Sequence, residues 1–173
     1  MKIFLSILFC SISLAFAGEV AMTDHPLTEV KGALQIPEGW TSTTESEDGV
    51  FVYHFGKGAA DAATSITLSV TTKVPERTGQ TPGEYAAALI DMSKDEGVSA
   101  NVLTGDFKGL KSLRSEYDFE SDDGKMRAVN IALSNDKSGT LYFFAWQSPI
   151  NESAELEAIR EKILGSAQFD PSF

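Results

Sequence analysis

Two runs in this chain are apolar on both of their alternating faces, and they restrict its fold more than any other feature. Residues 50–55, VFVYHF, put Val50, Val52 and His54 on one side and Phe51, Tyr53 and Phe55 on the other. Residues 140–146, TLYFFAW, are apolar on both sides as well. Successive side chains of a strand point to opposite faces of a sheet, so a run with no polar side belongs to a strand covered from above and below. A protein built on such strands needs a sheet with further layers packed on each face.

The other runs fill in that sheet. Residues 65–74 alternate Ile66, Leu68 and Val70 against Ser65, Thr67, Ser69 and Thr71, the pattern of a half-buried strand. Residues 33–36 form a short strand stopped by the Pro37-Glu38-Gly39 turn, and Trp40 follows directly. Residues 41–44 are β-prone, 45–49 are a charged turn, and 100–103 are a further short strand. Within 110–120, Leu113, Tyr117 and Phe119 face inward while Arg114, Glu116, Asp118 and Glu120 face out. The Asp122-Asp123-Gly124-Lys125 turn folds this strand onto residues 126–133, in a register expected to set Glu120 opposite Arg127. A second turn at 135–139 leads into the doubly apolar 140–146 run.

Two segments change period from two to 3.6. Thr81-Pro82-Gly83-Glu84 is a capping box with Pro at the first helical position, in which the Thr hydroxyl and the Glu carboxylate satisfy amides that a helix start leaves unpaired. Tyr85, Ala88, Leu89 and Met92 then recur at helical spacing, and Gly97 stands where a C-cap belongs. Residues 153–164 carry Leu156, Ile159 and Ile163 as an apolar stripe, with Glu152, Glu155, Glu157 and Glu161 on the wet side and Gly165 as the stop. The fold class that follows is α+β: one central antiparallel sheet of about six strands between helices, an α/β/α sandwich.

Residues 1–17, MKIFLSILFCSISLAFA, read as a secretory signal: Lys2 is the basic n-region, 3–14 the apolar h-region, and Ala15-Phe16-Ala17 the cleavage site before Gly18. The stretch is shorter than a membrane span and is interrupted by Ser6, Ser11 and Ser13. Phe9 occupies the place where an acylated Cys10 would need a small residue. The expected organisation is a signal peptide at 1–17, a mobile lead-in at 18–30 and one domain at 31–173. The mature chain is expected to be exported, to a bacterial periplasm first and to the exterior as the alternative, with no stable membrane anchor.

Cleavage would remove the sole cysteine, so neither disulfides nor thiolate chemistry are expected. It would also leave 13 basic against 25 acidic residues, a net charge of −12. Such a field disfavours nucleic acid and anionic lipid and favours basic partners or loosely held divalent cations.

No arrangement of residues announces a reaction. His25 and His54 are far apart in sequence and too few for a zinc site. Glu120, Asp122 and Asp123 lack the spacing of a calcium loop, and Gly56-Lys57-Gly58 lacks that of a phosphate-binding loop. No G-x-S-x-G elbow holds a serine nucleophile. The expectation is a protein that is not an enzyme and uses no cofactor or metal. Trp40 and Trp146, which flank turns, are the candidates for partner or ligand binding, because aromatic rings bind through area at low entropic cost.

The order of elements, together with Ile36-Pro37-Glu38-Gly39-Trp40, Ser65-Ile66-Thr67-Leu68, residues 109–117 and Phe169, resembles the PsbP-like family over about residues 32–170. That superfamily spans the extrinsic PsbP subunit of photosystem II, a yeast Ran-binding import factor and bacterial DcrB-type envelope proteins. The resemblance implies an antiparallel sheet between helices and a protein that binds or stabilises other proteins, with no shared catalytic residues. The reading is therefore an exported, non-catalytic binding or assembly factor of the bacterial envelope. Its rivals are a carrier of a small apolar ligand in a cleft between sheet and helix, and a hydrolase with an unrecognised site.

Overall fold

In the computed structural model the described residues are 20–57, 65–92, 101–122, 124–152 and 154–173. The signal segment, the Gly97 cap and Asp123 fall outside them. Ten strands and three α-helices lie among the described residues, in the order β1 (Met22–Leu27), β2 (Gly32–Pro37), β3 (Thr41–Glu47), β4 (Val50–Gly56), β5 (Ile66–Thr71), α1 (Val74–Thr78), α2 (Pro82–Met92), β6 (Asn101–Phe107), β7 (Leu110–Ser121), β8 (Gly124–Asn135), β9 (Thr140–Pro149), α3 (Ala154–Ser166) and β10 (Gln168–Phe169).

Seven strands form one antiparallel sheet in the order β3-β4-β5-β9-β8-β7-β6. The doubly apolar runs are the inner strands β4 and β9, as their composition requires. Asp48-Gly49 and Lys108-Gly109 close the β3–β4 and β6–β7 hairpins with both turn residues at positive φ, the two-residue geometry whose twist matches that of the flanking strands.

One face of this sheet carries Tyr53, Phe55, Ile66, Leu68, Val70, Val129, Ile131, Leu133, Tyr142, Phe144 and Trp146, packed against Leu27, Val30, Leu34, Ile36 and the Ile159, Ile163 and Leu164 side of α3. The opposite face packs Leu141 and Ala132 under Val74 of α1 and Ala86 and Ile90 of α2, with Leu113 and Phe143 alongside. The α2 start forms as its residues require: Glu84 N–H donates to Thr81 Oγ1 at 3.3 Å, and Thr81 N–H donates to the Glu84 carboxylate at 2.8 Å.

Several expectations need correction. The main sheet has seven strands, not six, and β1, β2 and β10 make a second, three-stranded antiparallel sheet, so the fold is more sheet-rich than a sheet sandwiched by helices. Part of the expected mobile lead-in is strand β1, and residues 28–30 are a single 3₁₀ turn. Pro26 hid the strand from its sequence; it is tolerated because β1 is an edge of the small sheet. The half-buried run expected over 65–74 stops at Thr71, because Lys73 adopts a left-handed conformation and Val74 opens α1. The β7–β8 pairing is shifted by two residues from the expected register. Gly124, at φ 104°, is already paired with Ser121, so Lys125 faces Glu120 and Arg127 faces Asp118. A slip of two leaves every side chain on its expected face.

Candidate functional site

The two tryptophans proposed as anchors occupy different environments. Trp40 follows the Pro37-Glu38-Gly39 turn, donates its amide to Pro37 O at 3.0 Å, and is half-buried at the rim of the main core. Trp146 is 4% exposed and is part of that core. The guanidinium carbon of Arg160 lies 5.6 Å from its ring centroid, so the ring is occupied by a cation of its own chain. Trp146 is therefore no surface anchor; β9 turns its even-numbered side chains into the larger core.

Arg160 was not singled out by the sequence reading, yet it is 1% exposed and ion-paired with Glu152, itself nearly buried. The signal was present in the spacing, since Arg160 is four residues after Leu156 and three before Ile163, on the apolar stripe of α3. A second ionic group lies between α3 and β7. Arg114 reaches Glu161 at 2.7 Å, Glu116 at 2.7 Å and Glu157 at 3.7 Å. Burial, reinforced by neighbouring Glu161, pushes the Glu157 carboxyl above its usual range. The hydrogen bond from Arg127 at 2.9 Å holds the Asp118 carboxyl below its own.

Both histidines have hydroxyl neighbours, in separate places. His54 is exposed on β4, with Nδ1 3.1 Å from Thr67 Oγ1 on β5. His25 on β1 places Nε2 3.1 Å from Ser42 Oγ on β3. Burial lowers the His25 pKa, favouring the neutral ring, while Glu29 acts in the opposite direction. A serine–histidine pair becomes nucleophilic when a third group orients the imidazole and donors await the oxyanion. Here the His25 ring sits edge-on to Phe55 at 5.4 Å, and Glu29 accepts its hydrogen bond from Tyr53 Oη at 2.9 Å. These contacts tie the small sheet and the 3₁₀ turn to the large sheet.

No group of three or more His, Cys, Asp or Glu side chains is placed to hold a metal ion among the described residues. At the β7–β8 tip, Glu120 pairs loosely with Lys125 at 3.8 Å. Open grooves are found among the described residues. One is lined by Glu45, Glu47, Asp48, Val50, Val52 and Arg77, and another runs beside the end of α3 past Met22, Gln35, Lys162 and Ser166. The aromatic space beneath β10 is filled, with Phe169 stacked on Tyr142 at 3.9 Å between ring centroids. The Tyr142 hydroxyl beneath it has no hydrogen-bond partner among the described residues, and burial raises its pKa to about 12. No described helix is long and apolar enough to cross a membrane.

These features define an α+β protein whose large antiparallel sheet is flanked by helices on one side and by a small sheet and a helix on the other. The chain has the PsbP-like fold. The solution structure of cyanobacterial PsbP (CyanoP) from Synechocystis sp. PCC 6803 superposes with a TM-score of 0.62 at 14% identity, covering 91% of this chain and 98% of that one. The Saccharomyces cerevisiae Ran-binding protein Mog1p gives 0.55 at 10% identity, over 87% and 96% of the two chains. LpqN of Mycobacterium tuberculosis, involved in cell envelope biogenesis, gives 0.53 at 15% identity, over 88% and 92%. No family model matches the sequence, and no curated protein does.

Proposed function

We propose that this protein is an exported, non-catalytic binding or assembly factor of a bacterial envelope, acting on a protein partner with a basic surface. The observation that carries the reading is the fold, shared at nearly full-length coverage with the Ran-binding protein Mog1p and with LpqN, a protein involved in cell envelope biogenesis. The sequence supports the compartment through the leader at residues 1–17 and the partner's charge through a net charge of −11 on the full chain. Trp40 is the aromatic contact retained by this reading, half-buried at the first turn. The carrier reading draws no support from the described grooves, which are open to solvent and enclose no ligand-sized cavity.

The test is capture of partners by the mature chain from its own envelope fraction, with intact-mass analysis of the exported bait. A chain beginning at Gly18 and a bound set of basic proteins that elutes with rising salt are the expected results, since exposed charges are screened beyond about 8 Å at physiological ionic strength. Trp40→Ala should weaken that capture. Turnover of a generic ester, phosphate or glycoside substrate that disappears in His25→Ala or His54→Ala, with the fold intact, would replace the reading with the hydrolase.

A further inference from the structure

The two edges of the large sheet are built differently. The outer edge of β3 presents the sequence TSTTESE, polar throughout and ending in Glu45 and Glu47. Charged and polar side chains of this kind blunt an edge, whose unpaired amides and carbonyls otherwise form a template for another strand. The opposite edge, β6, has no Lys, Arg or Pro, and its one charge is Asp106 near the end. Among the described residues no strand pairs with its outer side. Val102 is 41% exposed and Leu103 56% exposed, and they point to opposite faces of the sheet. With Met92 they are the three exposed large apolar side chains of the described residues.

The charges beside this edge select an occupant. Across the β6–β7 ladder Leu103 faces Arg114 and Asn101 faces Glu116. Arg114 is engaged by Glu116, Glu157 and Glu161, and the neighbouring Arg127 and Arg160 are paired with Asp118 and Glu152, so three cations stand among five carboxylates and the α3 side of the edge carries excess negative charge. A second copy of this chain would bring the same carboxylates and another −11 of net charge to the interface. An extended segment with apolar residues at its centre and Lys or Arg on either side meets Val102 and Leu103 with the former and the carboxylates with the latter.

We propose that β6 is a docking edge for an extended, basic segment of a partner protein, which adds to the sheet as an eighth antiparallel or parallel strand. The proposal rests on the partner-binding reading above and deepens it by naming the surface. Main-chain hydrogen bonds to β6 supply affinity, and the flanking carboxylates supply the charge preference.

The probe is a labelled nonapeptide, Lys-Thr-Lys-Val-Val-Val-Lys-Thr-Lys, titrated into the mature chain at low salt, with a counterpart carrying Glu for every Lys. Saturable binding of the Lys peptide alone is expected, together with new hydrogen-exchange protection confined to β6. Leu103→Lys and Thr43→Lys make the same charge change on opposite edges. The first should weaken binding about tenfold or more, and the second should leave it nearly unchanged. Equal weakening by both would reduce the effect to nonspecific charge attraction and overturn the proposal. Equal binding of the Glu peptide, or protection appearing elsewhere, would overturn it too. Should Leu103→Lys fail to fold, the exchange map of the unaltered chain decides alone. A dimer in sedimentation that Leu103→Lys dissolves would assign the edge to a second copy. If envelope capture finds a basic partner whose binding ignores Leu103→Lys, the edge proposal falls and the binding reading stands.

Discussion

The two faces of the large sheet are closed by different kinds of structure. The first is a thick aromatic and aliphatic layer in which Tyr53, Phe55, Tyr142, Phe144 and Trp146 meet side chains from the beginning and end of the described chain: Leu27, Val30, Leu34 and Ile36 from one, Ile159, Ile163 and Leu164 from the other. The second is thin, with small residues such as Ala86 and Ala132 and a short helix that follows the strand beside it within a few residues. The first face therefore requires ends of the chain separated by more than a hundred residues to converge, while the second is covered by α1 and α2 from the middle of the chain, nearer in sequence to the strands β7, β8 and β9 that they shield. Large side chains accumulate where the covering elements are themselves a sheet and a long helix with area to bury; a short helix seats against alanines.

Substitution can break this comparison at its strongest point. Phe144→Ala, at the centre of the thick layer with its side chain fully buried, should cost about 4 kcal/mol in urea or thermal unfolding. Ile90→Ala, the large buried residue that α2 contributes to the helical face, should cost about 2 kcal/mol, because the site lies near the end of α2 and can relax. Equal losses would mean that the two faces contribute alike and that the difference in their packing carries no energetic weight.

The thin face can be probed further through the cap of α2. Thr81→Ala removes the hydroxyl that accepts the Glu84 amide and should cost about 1 kcal/mol. Hydrogen exchange should then rise first in α2, with the small sheet unaffected. A change indistinguishable from zero would show that tertiary packing alone sets the helix start.

The smallest effect belongs to the junction of the two sheets. Because burial lowers the native pKa of His25 below 6.5, the unfolded chain binds more protons between that depressed value and pH 6.5. Stability should fall as pH drops through this window and level off below the native pKa, where both states are protonated. His25→Gln should remove that component from the pH profile. The carboxylates of Asp118, Glu84 and Asp170, held low by hydrogen bonds from Arg127, Thr81 and Ser172, contribute stability that is lost at lower pH, so the two effects separate along the pH axis. A profile that is flat between pH 7 and the carboxylate range would remove the histidine from the account.

Local pattern determined much of this protein before any contact was known. Alternation in 50–55, 65–71, 110–120 and 140–146 assigned strands and their faces, and the Thr81-Glu84 box assigned the start of a helix, because periods of two and 3.6 record which side of an element is shielded from water. Tertiary structure alone decided the rest. Strand β10 is two residues long and exists because it pairs with Ala33 and Gly32 more than a hundred residues earlier, and β1, which carries Pro26, exists as an edge laid on β2. Trp146 and Arg160 share a core that neither segment specifies alone, and the contrast between the edges β3 and β6 appears only once the strand order is set. A side chain's neighbours in sequence fix its direction; which distant surface arrives to cover it depends on the burial that the whole chain achieves at once.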